Sequence, residues 1–177
     1  MRKFRSMLLA GAMVVGMGAA AEAAPITGQI DFAGLATYNT TVLTVSSAVV
    51  LLGQGSFSVF PAFTAATFTS PLTFSPSLSP TGTLWTVTSG PNTGSFEATS
   101  GSGSVNGSGF LNISAVGTLK LTGYDDTPGT LAISSQGGTD VLVSFSATSV
   151  PVPEPASLAL LGMGLLGLGF AARRRAA

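Results

Sequence analysis

Between residues 24 and 151, apolar and polar side chains alternate in short runs separated by clusters of glycine, proline, serine and asparagine. Successive side chains of an extended chain point to opposite faces, so a period of two marks a strand with one buried face. The second half shows this most plainly. Leu111, Ile113 and Ala115 alternate with Asn112 and Ser114, and Leu119 and Leu121 with Thr118 and Lys120. Leu131 and Ile133 follow, then Val141, Val143, Phe145 and Ala147 against Ser144, Ser146 and Thr148.

The first half is less regular. Gln29 to Ala33 carries Ile30 and Phe32 on one face, and Thr41 to Leu52 reads as one buried strand or two. Ser56 to Phe60 alternates Phe57 and Val59 with serines, which predicts a strand ending at Pro61. Ala66 to Thr69 and Leu72 to Phe74 flank Pro71; Thr83 to Thr88 places Trp85 and Val87 together, and Ser95 to Ala98 follows a turn. Pro76 and Pro80 mark a loop, since proline removes ladder donors. Gly101 to Gly107 reads as a flexible connection, and Tyr124 to Gly129, with Asp125, Asp126 and Pro128, as a turn. No stripe with a helical period stands out. Eight or nine short strands, rich in threonine and valine, predict an all-β domain: an antiparallel β-sandwich, jelly-roll-like or immunoglobulin-like.

Two stretches break this pattern. At the N-terminus, Arg2, Lys3 and Arg5 precede the apolar run Met7 to Ala20, and Ala21, Glu22 and Ala23 supply a small-x-small cleavage site. That is the layout of a signal peptide over residues 1–23, cut by signal peptidase to leave Ala24 first. Paired arginines of the twin-arginine type are lacking. At the C-terminus, residues 152–177 read VPEPASLALLGMGLLGLGFAARRRAA. Pro153 and Pro155 hold their neighbours out of helix. Ala156 to Ala172 is an uncharged apolar run of 17 residues, at the short end of the roughly 17–25 that span a bilayer as a helix. Arg173, Arg174 and Arg175 form a basic cluster that stops transfer and stays cytoplasmic.

This tail resembles the PEP-CTERM sorting signal of Gram-negative bacteria: Pro153, Glu154 and Pro155 match the motif, residues 156–172 the transmembrane helix and residues 173–175 the basic end. The resemblance implies recognition and cutting by exosortase, an integral membrane enzyme of bacteria that make extracellular polysaccharide. The middle domain is also similar to cargo domains joined to such tails, through LKLTGYDDTPG at 119–129 and the serine- and threonine-rich final strand. Together the two ends imply export across the inner membrane, a transient single-pass anchor, and release to the cell surface or beyond.

Charge then narrows the chemistry. Residues 24–151 keep Lys120 alone against Asp31, Glu97, Asp125, Asp126 and Asp140, a net charge of −4. Such a surface offers no footprint for phosphate backbones, so nucleic acid is not an expected partner. The chain has no cysteine and no histidine. That removes disulfides, a lipoprotein anchor, imidazole- or thiol-based nucleophilic sites and the usual zinc ligands. Lys120 sits on the polar face of its strand and reads as solvated. What remains is carboxylates: two flanking a sugar would suffice for glycoside hydrolysis, and Asp125, Asp126 and Asp140 are oxygen ligands of the kind calcium takes. The simpler reading of Asp125 and Asp126 is that they start a turn. Trp85 and Tyr124 are the aromatic pair a sugar-stacking platform would use, though a lone tryptophan on an alternating strand reads as core. Asn39, Asn106 and Asn112 begin Asn-x-Ser/Thr triplets, which arise often by chance in so hydroxyl-rich a chain. The expectation is therefore a non-enzymatic surface or matrix protein without catalytic, cofactor or metal residues, associated with extracellular polysaccharide. A carboxylate-dependent carbohydrate-active enzyme and a calcium-dependent carbohydrate-binding module are the alternatives.

Overall fold

The computed structural model describes residues 23–135, 141–150 and 162–166. Nine strands account for most of them: β1 Gln29–Tyr38, β2 Val42–Gly53, β3 Ala65–Phe68, β4 Leu72–Thr73, β5 Gly82–Ser89, β6 Asn92–Val105, β7 Leu111–Leu121, β8 Thr127–Ser135 and β9 Val141–Ser149. Every pairing is antiparallel; the short β4 lies along β2 beyond β3, so β3 pairs directly with β5. The last pairing joins β9 to β1, from Gln29 against Thr148 to Ala36 against Val141. Since β1 also pairs with β2, the eight strands other than β4 close on one another. It is an up-and-down barrel closed by eight strands.

This corrects the expected sandwich. Alternation tells which face of each strand is buried, and both architectures bury one face. What separates them is whether the first and last strands meet, a contact between residues more than a hundred positions apart.

An eight-stranded barrel has an interior just wide enough for side chains to fill. Here Ile30, Phe32, Leu43, Val50, Trp85, Phe96, Ile113, Leu119, Leu131 and Phe145 fill it, each with at most 1% of its surface exposed. Trp85 stacks obliquely on Phe32 at 5.0 Å between ring centres, and Phe68 lies 4.1 Å from Phe145. The outer face carries Thr44, Thr83, Thr88, Ser102, Ser114 and Thr130, all exposed. An apolar interior and a hydroxyl-rich exterior are the reverse of a barrel that crosses a lipid bilayer.

Three local expectations change. Ser56 to Phe60 is no strand: Gly55–Val59 is a 3-10 helix that buries Ser56 and Phe57 and leaves Val59 exposed. Its first turn is bound to the N-terminal segment instead of to a ladder, with the Ser56 N–H donating to the Thr27 carbonyl (2.8 Å) and the Thr27 N–H to Ser56 Oγ (3.0 Å). The Gly101–Gly107 stretch is not a flexible connection, because β6 runs on to Val105. A side chain at Gly101 would place its Cβ 2.6 Å from the Ser114 carbonyl oxygen, and one at Gly103 only 2.8 Å from that of Asn112. Glycine here lets β6 lie close against β7. Finally, β2 pairs with β1 through two irregularities, at Asp31/Phe32 and Leu35/Ala36. Each adds a residue to β2 and resets which side chains face inward, so Leu43 gives way to Ala48 and Val50, and Leu51 and Leu52 are both exposed.

Candidate functional site

The chain leaves the barrel where it entered. At the N-terminus, the Ala24 carbonyl accepts the Asp125 N–H at 3.1 Å and Pro25 bridges Asp125. Ile26 is then buried, its N–H donating to Thr127 Oγ1 at 2.8 Å. The Thr127 hydroxyl itself donates to the Asp125 carbonyl at 2.9 Å, so a fully buried polar group is satisfied on both sides. Residues 24–28 thus cross one end of the barrel, and Ile26 stops it. At the other terminus, the Ser149 N–H donates to the Gly28 carbonyl (3.1 Å), the Gly28 N–H to Ser149 Oγ (3.0 Å) and the Val150 N–H to the Pro128 carbonyl (2.9 Å). Ala24, next to the expected cut after Ala23, and Val150, which leads into the tail, therefore share one end. We call it the proximal end.

The opposite, distal end is closed by the proline-rich segment after β4. Phe74 binds across it, its N–H donating to the Thr41 carbonyl and its carbonyl accepting the Gly103 N–H, both at 2.8 Å. Leu72, Phe74 and Leu78 are buried beneath it. Beside this plug, Ser135 donates to Tyr38 Oη at 2.6 Å, Tyr38 donates to the Gly109 carbonyl at 2.7 Å, and the Leu111 N–H donates to Ser135 Oγ at 3.1 Å. An open groove of about 550 Å³ adjoins that network, lined by Ser104, Asn106, Phe110, Asn112, Ser134 and Ser135 with Leu111. Among the described residues its walls are amides, hydroxyls, one exposed phenyl ring and Leu111, without a charge.

The candidate residues of the sequence fall into place unevenly. Ala21, Pro153, Glu154, Pro155, Arg173, Arg174, Arg175 and Asp140 lie outside the described residues. Of the expected transmembrane helix, only residues 162–166 are described, as one exposed helical turn. Among the described residues no helix is long and apolar enough to cross a membrane. Trp85 is fully buried inside the barrel and Tyr124 is half-buried against the same core, so the two form no surface platform. Lys120 Nζ lies 3.0 Å from Glu97 Oε2 and 3.7 Å from Asp126 Oδ2 on the outer face. The Glu97 hydrogen bond raises the lysine pKa above its usual value; partial desolvation opposes this, and the charges of Glu97 and Asp126 add to it. Asn39 Oδ1 accepts the N–H groups of Thr41 and Val42 at 2.8 Å each, and Asn106 Oδ1 those of Ser108 and Phe110. Two of the three triplet asparagines therefore build hairpin turns.

Against this geometry, one family description matches: the PEP-CTERM protein-sorting motif, over residues 151–175. The chain carries a PEP-CTERM tail. It begins at the residue after Val150, directly beyond the proximal end. The tail marks an exported substrate of exosortase, addressed to the cell envelope or surface. Searches of curated proteins and of solved structures found no match to the chain.

Proposed function

We propose that the protein is a non-enzymatic component of the cell surface or extracellular matrix that associates with polysaccharide through the distal end of its barrel. The observation that carries this reading is the placement of the PEP-CTERM tail. It leaves from the proximal end, so that while the tail holds the chain at the inner membrane, the distal groove points away from it. The groove suits a neutral polyhydroxylated ligand: Asn112, Ser104 and Ser134 offer donors and acceptors, and Phe110 offers an apolar face. Asn112 also explains itself better as a groove wall than as a sugar acceptor, because it faces outward from β7 beside Phe110.

The arrangement of acids speaks against the hydrolytic alternative. Glu97 and Asp126 are brought near each other, as a glycosidase would require. The Lys120 ammonium fills the gap between them, where a glycosidic oxygen and a water would have to sit. Among the described residues, none of the seven that line the distal groove is a carboxylate. For the calcium reading, Asp126 is engaged by Lys120 and the Asp125 backbone is tied to Ala24 and Thr127, which makes the pair a turn.

The test is co-sedimentation of the mature protein with polysaccharide from the producing cells, with glycoside release assayed in parallel. Binding that falls about tenfold or more on Phe110→Ala together with Asn112→Ala, without sugar release, is the expected result, each contact supplying about 1 kcal/mol. Hydrolysis, or binding that ignores both substitutions, contradicts the proposal.

A further inference from the structure

The proximal end carries a second feature that export alone does not require. Five of the barrel's exposed large hydrophobic residues lie there: Leu51, Leu52, Val59, Phe63 and Val150. Among the described side chains, only Leu35, Phe110 and Val116 are exposed large hydrophobics elsewhere on the barrel. Phe63 stands out, with 78% of its surface exposed. It is also the one non-glycine residue with positive φ (67°) among the described residues. A bulky side chain in the left-handed region is disfavoured, and such outliers collect at functional positions. The turn that holds it is well built: the Phe63 N–H donates to the Val50 carbonyl at 2.7 Å, and the Thr64 N–H and hydroxyl both donate to the Pro61 carbonyl, at 3.2 and 2.7 Å. A rigid loop thus presents a phenyl ring to whatever lies beyond the proximal end.

What lies there follows from the chain. Val150 leaves this end, and the apolar run of the tail starts at Ala156, six residues on. Even fully extended, six residues reach about 20 Å. With the run seated in a bilayer, the proximal end is held within that distance of the hydrocarbon, inside or just above the headgroup layer, which adds about 5–8 Å on each side. Aromatic and aliphatic side chains on a rigid loop gain from burial at that boundary. We infer that the Phe63 loop, with Leu51, Leu52 and Val59, is a lipid-contacting face that seats the barrel on the membrane. The occupant is the bilayer surface. Exposed Asp125 and Asp126 share this end, which favours zwitterionic over anionic lipid. The inference rests on the reading of residues 156–172 as membrane-embedded.

The chain has no cysteine, so Phe63→Cys, Phe110→Cys and Leu165→Cys each give a unique labelling site. The uncut chain, with its signal removed, would carry an environment-sensitive fluorophore at one site and be reconstituted in phosphatidylcholine vesicles containing headgroup-level nitroxide lipid or, for position 165 near the centre of the 17-residue run, mid-acyl-chain nitroxide lipid. Position 63 should be blue-shifted and quenched about threefold or more over position 110, because only the former reaches the interfacial layer. Equal quenching at 63 and 110, with 165 quenched, overturns the inference and leaves the embedded tail standing. A blue shift at 63 without quenching names a second copy of the chain as occupant and also overturns it. An unquenched position 165 overturns the embedded tail, and the inference falls with it.

Discussion

At the scale of single residues, the proximal end depends on one hydroxyl. Thr127 accepts from Ile26 and donates to the Asp125 carbonyl in a site sealed from water. Thr127→Val keeps the shape and removes both bonds, stranding two backbone groups. The expected cost is about 1–3 kcal/mol, read as a lower urea midpoint with an unchanged slope. Lys120 makes a smaller, pH-dependent contribution. Its pKa in the folded protein is raised by Glu97, so its stabilisation is fully present below the unfolded value of about 10.5 and is lost as pH rises through the folded value. The melting temperature of the parent relative to Lys120→Met should be flat up to about pH 10 and converge above it. A difference that instead grew with alkalinity would show that the ion pairs are not its source. Lys120 could be placed from sequence on a polar face, but its partners could not, because Glu97 is on another strand and Asp126 is past a turn.

At the scale of elements, legibility follows regularity of pairing. Strands β7 and β8, and β9 from Phe145 on, bury alternate residues, so their buried faces are evident from the amino acids. Strand β2 is obscured because two bulges shift its phase, and a bulge is invisible until the partner strand is known. The glycines of β6 mimic a linker for a different reason. Gly101 sits in a ladder so close to β7 that a methyl group would meet the Ser114 carbonyl oxygen at 2.6 Å. Gly101→Ala should therefore destabilise the barrel by about 1–3 kcal/mol, as overpacking does. In a true flexible connection, the same change would be neutral or mildly stabilising. Thermal melts of the two proteins separate these outcomes. The Phe63 loop escaped notice because it falls outside every alternating run. A phenylalanine two residues after a proline, flanked by threonine, was the available sign.

For the whole molecule, the part of the site that is one contiguous string was fully legible: proline–glutamate–proline, an apolar run and three arginines occupy 23 consecutive residues. The parts assembled by folding were not. Barrel closure joins β1 to β9, the distal groove draws on β6, β7 and β8, and the shared exit of both ends depends on Gly28 meeting Ser149. These contacts give the molecule two distinct ends, one from which the PEP-CTERM tail leaves and one lined by hydroxyls and amides. We propose that the tail is a cutting signal that releases a barrel already folded and exported. On the reading of residues 156–172 as a membrane-spanning helix, Gly162, Gly164, Gly167 and Gly169 would each cost about 1 kcal/mol of helix propensity relative to alanine in water, a penalty that burial in lipid would soften, which suits brief residence. The most direct measurement is the intact mass of the protein from inner membranes and from culture supernatant, for the parent and for a variant with Pro153, Glu154 and Pro155 all changed to alanine. The parent should be found outside the inner membrane with both ends trimmed, and the variant should be exported, lack its signal, and stay in the inner membrane with residues 156–177 attached. A variant trimmed and released like the parent would contradict the claim.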